Sequence, residues 1–230
     1  MGLLDATRAA LLLLVSGDPE LWGIVGVSLS VTLRAMLVAT PLGIAAGYLL
    51  ATVVFPGRRL VIILTQGLLA SPTVVVGLIL YLLLSRQGVF GHLQLLFTQT
   101  AMIIGQVLIA LPVLIAFSLS AIQGADPRAR ETALALGASA PRIAWTLLLE
   151  VRFALMAAVC SAFGRIVSEI GCALMVGGNI AGVTRNMPTA IALETSKGDF
   201  AQGIALGIVL LLVALGINTA FAFFQGEARR

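Results

Sequence analysis

Five long stretches almost free of charge constrain this chain more than any other feature of it. Residues 60–84, 98–122 and 202–224 contain no Asp, Glu, Lys or Arg; 21–55 holds only Arg34, and 153–176 only Arg165 and Glu169. A helix that crosses the hydrocarbon core of a bilayer needs about 20 predominantly apolar residues, so each stretch predicts one span. The expectation is an all-α integral membrane protein with five transmembrane helices in a single domain over residues 1–230. Composition removes the soluble alternatives: 10% of positions are charged and 60% are hydrophobic, where a soluble domain carries about 25% charge. Such a chain cannot cover an aqueous surface. A soluble enzyme, a nucleic-acid binder and a disordered scaffold are therefore excluded, and the bilayer is the expected surrounding.

The apolar segment 9–15 lies between Arg8 and Asp18 and is too short to cross. Residues 2–15 therefore predict a short interfacial helix leading into the first span. Asp5 and the lack of an A-x-A site argue against a cleaved leader. Orientation follows from the loops. Arg58, Arg59, Arg128, Arg130, Arg142, Arg152, Arg229 and Arg230 fall on one side, against Arg8, Arg86, Arg185 and Lys197 on the other. The basic excess marks the cytoplasmic side, which predicts an external N-terminus and a cytoplasmic C-terminus in a cell (inner) membrane.

Pro41, Pro72 and Pro112 fall inside the first three stretches. Helix-breaking residues are tolerated at membrane depth where neighbours or a water-lined cavity satisfy the freed carbonyl. Gly43-x-x-x-Gly47 and Gly203-x-x-x-Gly207 are close-packing signals, expected to serve packing within one subunit. No G-x-x-x-x-G-K-[ST] run and no H-E-x-x-H run occurs, so neither a P-loop nor a zinc-peptidase helix is expected. Cys160 and Cys172 would stand about 18 Å apart on one helix, beyond disulfide reach. His92 is the single histidine, and no metal site is expected.

The segment 123–150 predicts two short helices on the cytoplasmic side. Asp126 followed by Pro127 is a helix start, with a capping carboxylate and proline at the first helical position. Gly137 ends that helix by its ease in the left-handed conformation, and Ser139 with Pro141 begins the next. Small Ala-rich helices of this kind can lie in a groove on another protein; the alternative is a plain hairpin between two spans.

This loop resembles the cytoplasmic signature of ABC importer permeases, E-A-A-x-x-x-G followed by I-x-L-P. Here it reads Glu131-Thr132-Ala133, Gly137-Ala138-Ser139, then Leu147-x-Leu149-Glu150, with Thr132 in place of one alanine and Glu150 in place of the closing proline. The resemblance implies that Glu131, Ala133, Gly137 and Ala138 belong to a coupling helix docked on an ATPase subunit. Phe163-Gly164-Arg165, Ser168-Glu169-Ile170-Gly171 and Gly177-Gly178-Asn179-Ile180 resemble the fourth span of type I permeases for molybdate, sulfate and tungstate. The run from Thr184 to Phe200 is most similar to the tungstate branch. These likenesses imply a non-catalytic transport subunit, paired with a second copy of itself, two cytoplasmic ATPases and an external substrate-binding protein. They imply no cofactor in this chain, ATP and Mg being held by the ATPase. The competing class, a secondary transporter or channel, would want inverted repeats or a carboxylate relay, and neither is found.

Ionisable residues at membrane depth are functional hypotheses by default. Arg165 and Glu169, four apart on a continuous helix, would share a face and pair; Ser161, Arg165 and Ser168 extend that polar stripe, which should face the bundle interior or a pathway. The spacing leaves two readings open, a static ion pair or contact with a passing anion. Arg34 has three options: a partner across helices, an outward reach, or a positive charge beside the path. Asn179, Thr184 and Arg185, in a glycine-rich external loop, can solvate an oxyanion or can simply shape a turn.

Overall fold

Asp18 shows how local chemistry sets the first long element. Its carboxylate accepts the Leu21 amide at 2.8 Å and Pro19 occupies the first turn, so α2 (Pro19–Thr52) starts there and runs for 34 residues. The computed structural model describes residues 3–227, with side chains from 5 to 219; the tail arginines Arg229 and Arg230 lie outside the described residues. Before α2 comes α1 (Leu3–Ser16), the helix expected at the N-terminus, which packs on the last helix and buries Ala10 in the core. After it come α3 (Arg58–Leu69), α4 (Thr73–Leu84) and α5 (Gln99–Gln123). Then follow α6 (Pro127–Ala135), α7 (Ala140–Glu150), α8 (Arg152–Val167), α9 (Gly171–Gly177), α10 (Met187–Lys197) and α11 (Phe200–Glu227). No strand occurs among the described residues, as expected of an all-α chain.

Among the described residues, three helices are long and apolar enough to cross a membrane: α2, α5 and residues 200–219 of α11. Two bent pairs raise the number to five if each counts as one span. The stretch 60–84, expected as one helix, is α3 and α4 bent by 104°. The chain turns at Ala70–Pro72, where Pro72 adopts extended backbone and offers no amide to continue α3. The fourth stretch also differs from the expected 153–176: α8 ends at Val167 and α9 starts anew at Gly171. On its other side α8 meets α7 at 71°. Pro41 and Pro112, by contrast, sit inside continuous helices.

The core lies where α2 and α5 pack along each other, with α8 and α9 laid against α5. Leu21, Val31, Ala35 and Ala39 of α2 meet Met102, Ala110 and Leu114 of α5, Ile166 of α8 and Val176 of α9. Gly43 and Gly47 make the close approach possible. A Cβ at Gly43 would collide with Leu114, and one at Gly47 would lie 2.6 Å from the Ser118 Cβ. The Gly43–Gly47 signal thus serves packing within the chain, as expected, whereas nothing lies within 4 Å of the Cβ position at Gly207, so the second signal makes no such close approach there. The outer surface of the helices is apolar: Leu37 is 78% exposed and Leu211 64%, as suits side chains bathed in lipid rather than water.

Candidate functional site

The elbow between α6 and α7 forms as its sequence dictates. The Asp126 carboxylate accepts the Arg128 amide at 2.9 Å, with Pro127 opening α6. Leu136 closes that helix, and Gly137 turns with φ +71° into α7, which Ser139 precedes. No side-chain atom approaches the position a Cβ would take at Gly137, so its conformation alone demands glycine. A cleft of about 720 Å³ opens between α6 and α7, lined among others by Arg128, Ala133, Gly137, Ala138 and Arg142. Glu131 is exposed beside it. No residue of α6 is buried, and Leu136 and Trp145 are 81% and 64% exposed. The elbow therefore presents a mixed apolar and basic face with a small-residue floor, which a partner can cover.

The intramembrane charges are arranged differently from the expectation. Arg165 and Glu169 do not pair. The helix that would have kept them four apart on one face ends at Val167, and the backbone turns through Ser168. Glu169 is 5% exposed and its carboxylate accepts the Cys172 amide at 2.9 Å, fastening the start of α9. Arg165 is exposed, together with Ser161 and Ser168, so this polar stripe faces out of the single chain rather than into its bundle. Arg165 lines a small cavity with Ser71 and Thr73 from the α3–α4 break and Pro112 from α5. Pro112 is midway along α5, a helix long and apolar enough to cross a membrane, and Arg165 lines the cavity beside it from the last turn of α8. A charge at the centre of a bilayer costs about 2.5–3.5 kcal/mol on insertion scales, so a guanidinium level with the middle of α5 is best placed against water, an anion or another protein surface.

Two of the candidates in the 177–185 loop, Thr184 and Arg185, have partners within the chain. Thr184 is 1% exposed; its hydroxyl donates to the Gly177 carbonyl at 2.5 Å and accepts the Ile180 amide at 2.9 Å. Asn179 takes φ +51°, a conformation asparagine tolerates. Arg185 reaches Glu20 at 3.5 Å across a cleft of about 400 Å³ that Gly182 also lines. Arg34 takes the cross-helix option: it donates to Gln99 at 3.4 Å, and Gln99 in turn donates to the Val183 carbonyl at 2.8 Å. Arg34 and the loop are thus joined through α5, whereas Arg165 stands apart from both.

Two polar contacts escaped the sequence reading. Gln106 is buried within α5 and its Nε2 donates to the Ile166 carbonyl at 3.2 Å, tying α5 to the end of α8. Its signal was available, an amide side chain midway through an uncharged stretch. Ser28 accepts the Met187 amide at 2.9 Å, joining α2 to the first turn of α10; Ser28, one of two serines in α2, gave no warning of a partner so distant in sequence.

The comparisons with known proteins bear on the whole assembly of elements. The family described as binding-protein-dependent transport system inner membrane component matches residues 39–226. The tungstate uptake system permease protein TupB of Campylobacter jejuni is 44% identical over 164 residues, covering 71% of this chain and 69% of that protein. TupB of Peptoclostridium acidaminophilum is 35% identical over 223 residues, 97% of this chain and 98% of its own length. A solved structure described as an amino acid ABC transporter with histidines superposes with a TM-score of 0.67 over 94% of this chain and 97% of the other. At 17% identity that likeness concerns the fold alone. On the family match and the two relatives, this chain belongs to the binding-protein-dependent transport system inner membrane components, the permease subunits of ABC importers.

Proposed function

We propose that the chain is the membrane subunit of an ATP-driven importer of an oxyanion, tungstate foremost, and that it works as a homodimer by alternating access. The observation that carries this reading is the 35% identity to a tungstate permease across 97% of this chain. In this reading two cytoplasmic ATPases, which bind ATP and Mg, dock on the α6–Gly137–α7 elbow. An external binding protein delivers the anion, the N-terminus is outside and the C-terminus cytoplasmic. The chain itself catalyses no bond change.

The geometry supplies a means of coupling. α7 ends at Glu150 and α8 begins at Arg152, so no flexible linker separates the elbow from the membrane helix. Movement of α7 under a closing ATPase pair is passed straight to α8, which packs on α5 and carries Arg165. Molybdate and sulfate are the competing substrates within the same class. Measuring ATP hydrolysis by the purified complex with its binding protein decides among them. Tungstate is expected to stimulate hydrolysis at lower concentration than molybdate or sulfate. Stimulation by sulfate alone would move the chain to a different branch, and failure to recover an ATPase with the permease would refute the class.

A further inference from the structure

Resting on that functional reading, we infer that Arg165 contacts the transported dianion directly, and that two copies of the chain each contribute one Arg165 to a single binding position between them. The guanidinium is free to do so. Among the described residues the ion pairs are Arg185–Glu20 and Lys197–Glu194, and Glu169, the acid nearest in sequence, is committed to the Cys172 amide. An unneutralised positive charge level with the middle of a membrane-length helix is costly to leave in lipid. Yet Arg165 is exposed on the chain's outer side, on one stripe with Ser161 and Ser168. That side is therefore covered by something other than lipid.

The volume identifies what is missing. The cavity beside Arg165, with Ser71, Thr73 and Pro112 in its wall, measures about 30 Å³. That is room for a water or two, too little to enclose a tetrahedral oxyanion with four oxygens. One copy thus supplies a wall and a charge, and a facing copy closes the site. Two guanidinium groups match a double negative charge, and the planar fork of arginine suits oxyanions in paired hydrogen bonds. Neutralisation occurs only while the anion is present, and this leaves each Arg165 unpaired in the empty protein.

The test uses the complete complex of permease, ATPase and binding protein in liposomes, with tungstate as the probe. Arg165→Gln is expected to lower tungstate uptake by about tenfold or more, as for losing hydrogen bonds to a charged group. Arg165→Lys keeps the charge without the fork and should fall between the two. Co-purification of each variant with its ATPase separates loss of contact from loss of folding. As a second measurement, Arg165→Cys in a Cys160→Ala, Cys172→Ala background is treated with a positively charged or a neutral methanethiosulfonate. Recovery of uptake with the charged reagent alone supports the inference. An Arg165→Cys thiol that no water-soluble reagent reaches in the assembled complex overturns it. Equal tungstate uptake by wild type and Arg165→Gln refutes this inference alone, whereas a wild-type complex that ignores tungstate and molybdate refutes the functional reading beneath it.

Discussion

The Glu169 carboxylate accepts the backbone amide of Cys172 at 2.9 Å, so an acid buried at membrane depth holds the joint between α8 and α9. The same joint brings Cys172 against two helices: a Cβ at Gly77 would lie 2.7 Å from its Cα, and one at Gly105 2.5 Å from its sulfur. The short α9 is thereby pressed onto α4 and α5, while Arg165, one turn earlier, is left open beside the α3–α4 break.

Because these two charges have separate partners, they should behave independently. Removing the Glu169 carboxylate leaves the Cys172 amide unsatisfied in a buried place, at a cost of about 1–3 kcal/mol. Arg165→Ala should cost the folded chain less. In a double-mutant cycle read by chemical denaturation in detergent, the coupling between Arg165→Ala and Glu169→Ala is expected to stay within about 0.5 kcal/mol. A coupling above that would restore the ion pair.

Gly137 offers a graded test of the elbow. Its positive φ with open space around it means that a substitution meets conformational strain and nothing else. Gly137→Asn should be tolerated, since asparagine enters the left-handed region. Gly137→Val should cost about 1–2 kcal/mol or more and misdirect α7. The expected result is normal expression of both variants, with the valine form losing its ATPase on purification or hydrolysing ATP without uptake. Ala133→Asp, which puts a charge into the cleft floor, should loosen the same complex.

How far the sequence led can be judged at particular residues. The charge-free stretches located α2, α5 and α11, and Asp126, Pro127 and Gly137 located the elbow, because each signal is local. The break at 168–170 was hidden. Arg165 and Glu169 have pairing spacing only if the helix continues, and it ends where Glu169 turns to the Cys172 amide and Cys172 seats against Gly77 and Gly105. Those glycines are far away in sequence. The bend at Ala70–Pro72 had a local sign in its proline, but Pro41 and Pro112 carry the same sign inside continuous helices. Only packing distinguishes them. Thr184 and Asn179 were legible as polar loop residues, yet their roles in closing that loop depend on φ and on partners several residues away.

Gly47 should be among the least replaceable positions of the α2–α5 seam. A Cβ there would lie 2.6 Å from the Ser118 Cβ and 3.0 Å from the Ile115 carbonyl oxygen, and backbone cannot step aside as a flexible side chain can. Gly47→Val is expected to destabilise by about 1–3 kcal/mol through overpacking, seen as earlier thermal inactivation in detergent. Gly207, with nothing near its Cβ position, is the control and should accept alanine.

Thr184 should act through its hydroxyl and not through any anion. Thr184→Ser keeps the bonds to the Gly177 carbonyl and the Ile180 amide and should match wild type. Thr184→Val leaves both groups without that partner, costing about 1–3 kcal/mol, and should reduce folded yield. If valine left yield intact but changed the apparent affinity for tungstate, the loop would be part of the path.

Counting tungsten inside sealed proteoliposomes tests whether this permease moves an oxyanion inward only under ATP-driven coupling. The vesicles hold the permease and its ATPase, with binding protein and tungstate outside and ATP trapped within. Accumulation above the external concentration is expected, requiring both ATP and the binding protein and lost when Gly137→Val replaces the wild-type chain. Equal filling with and without ATP would mark a passive or ion-coupled path and refute ATP-driven import.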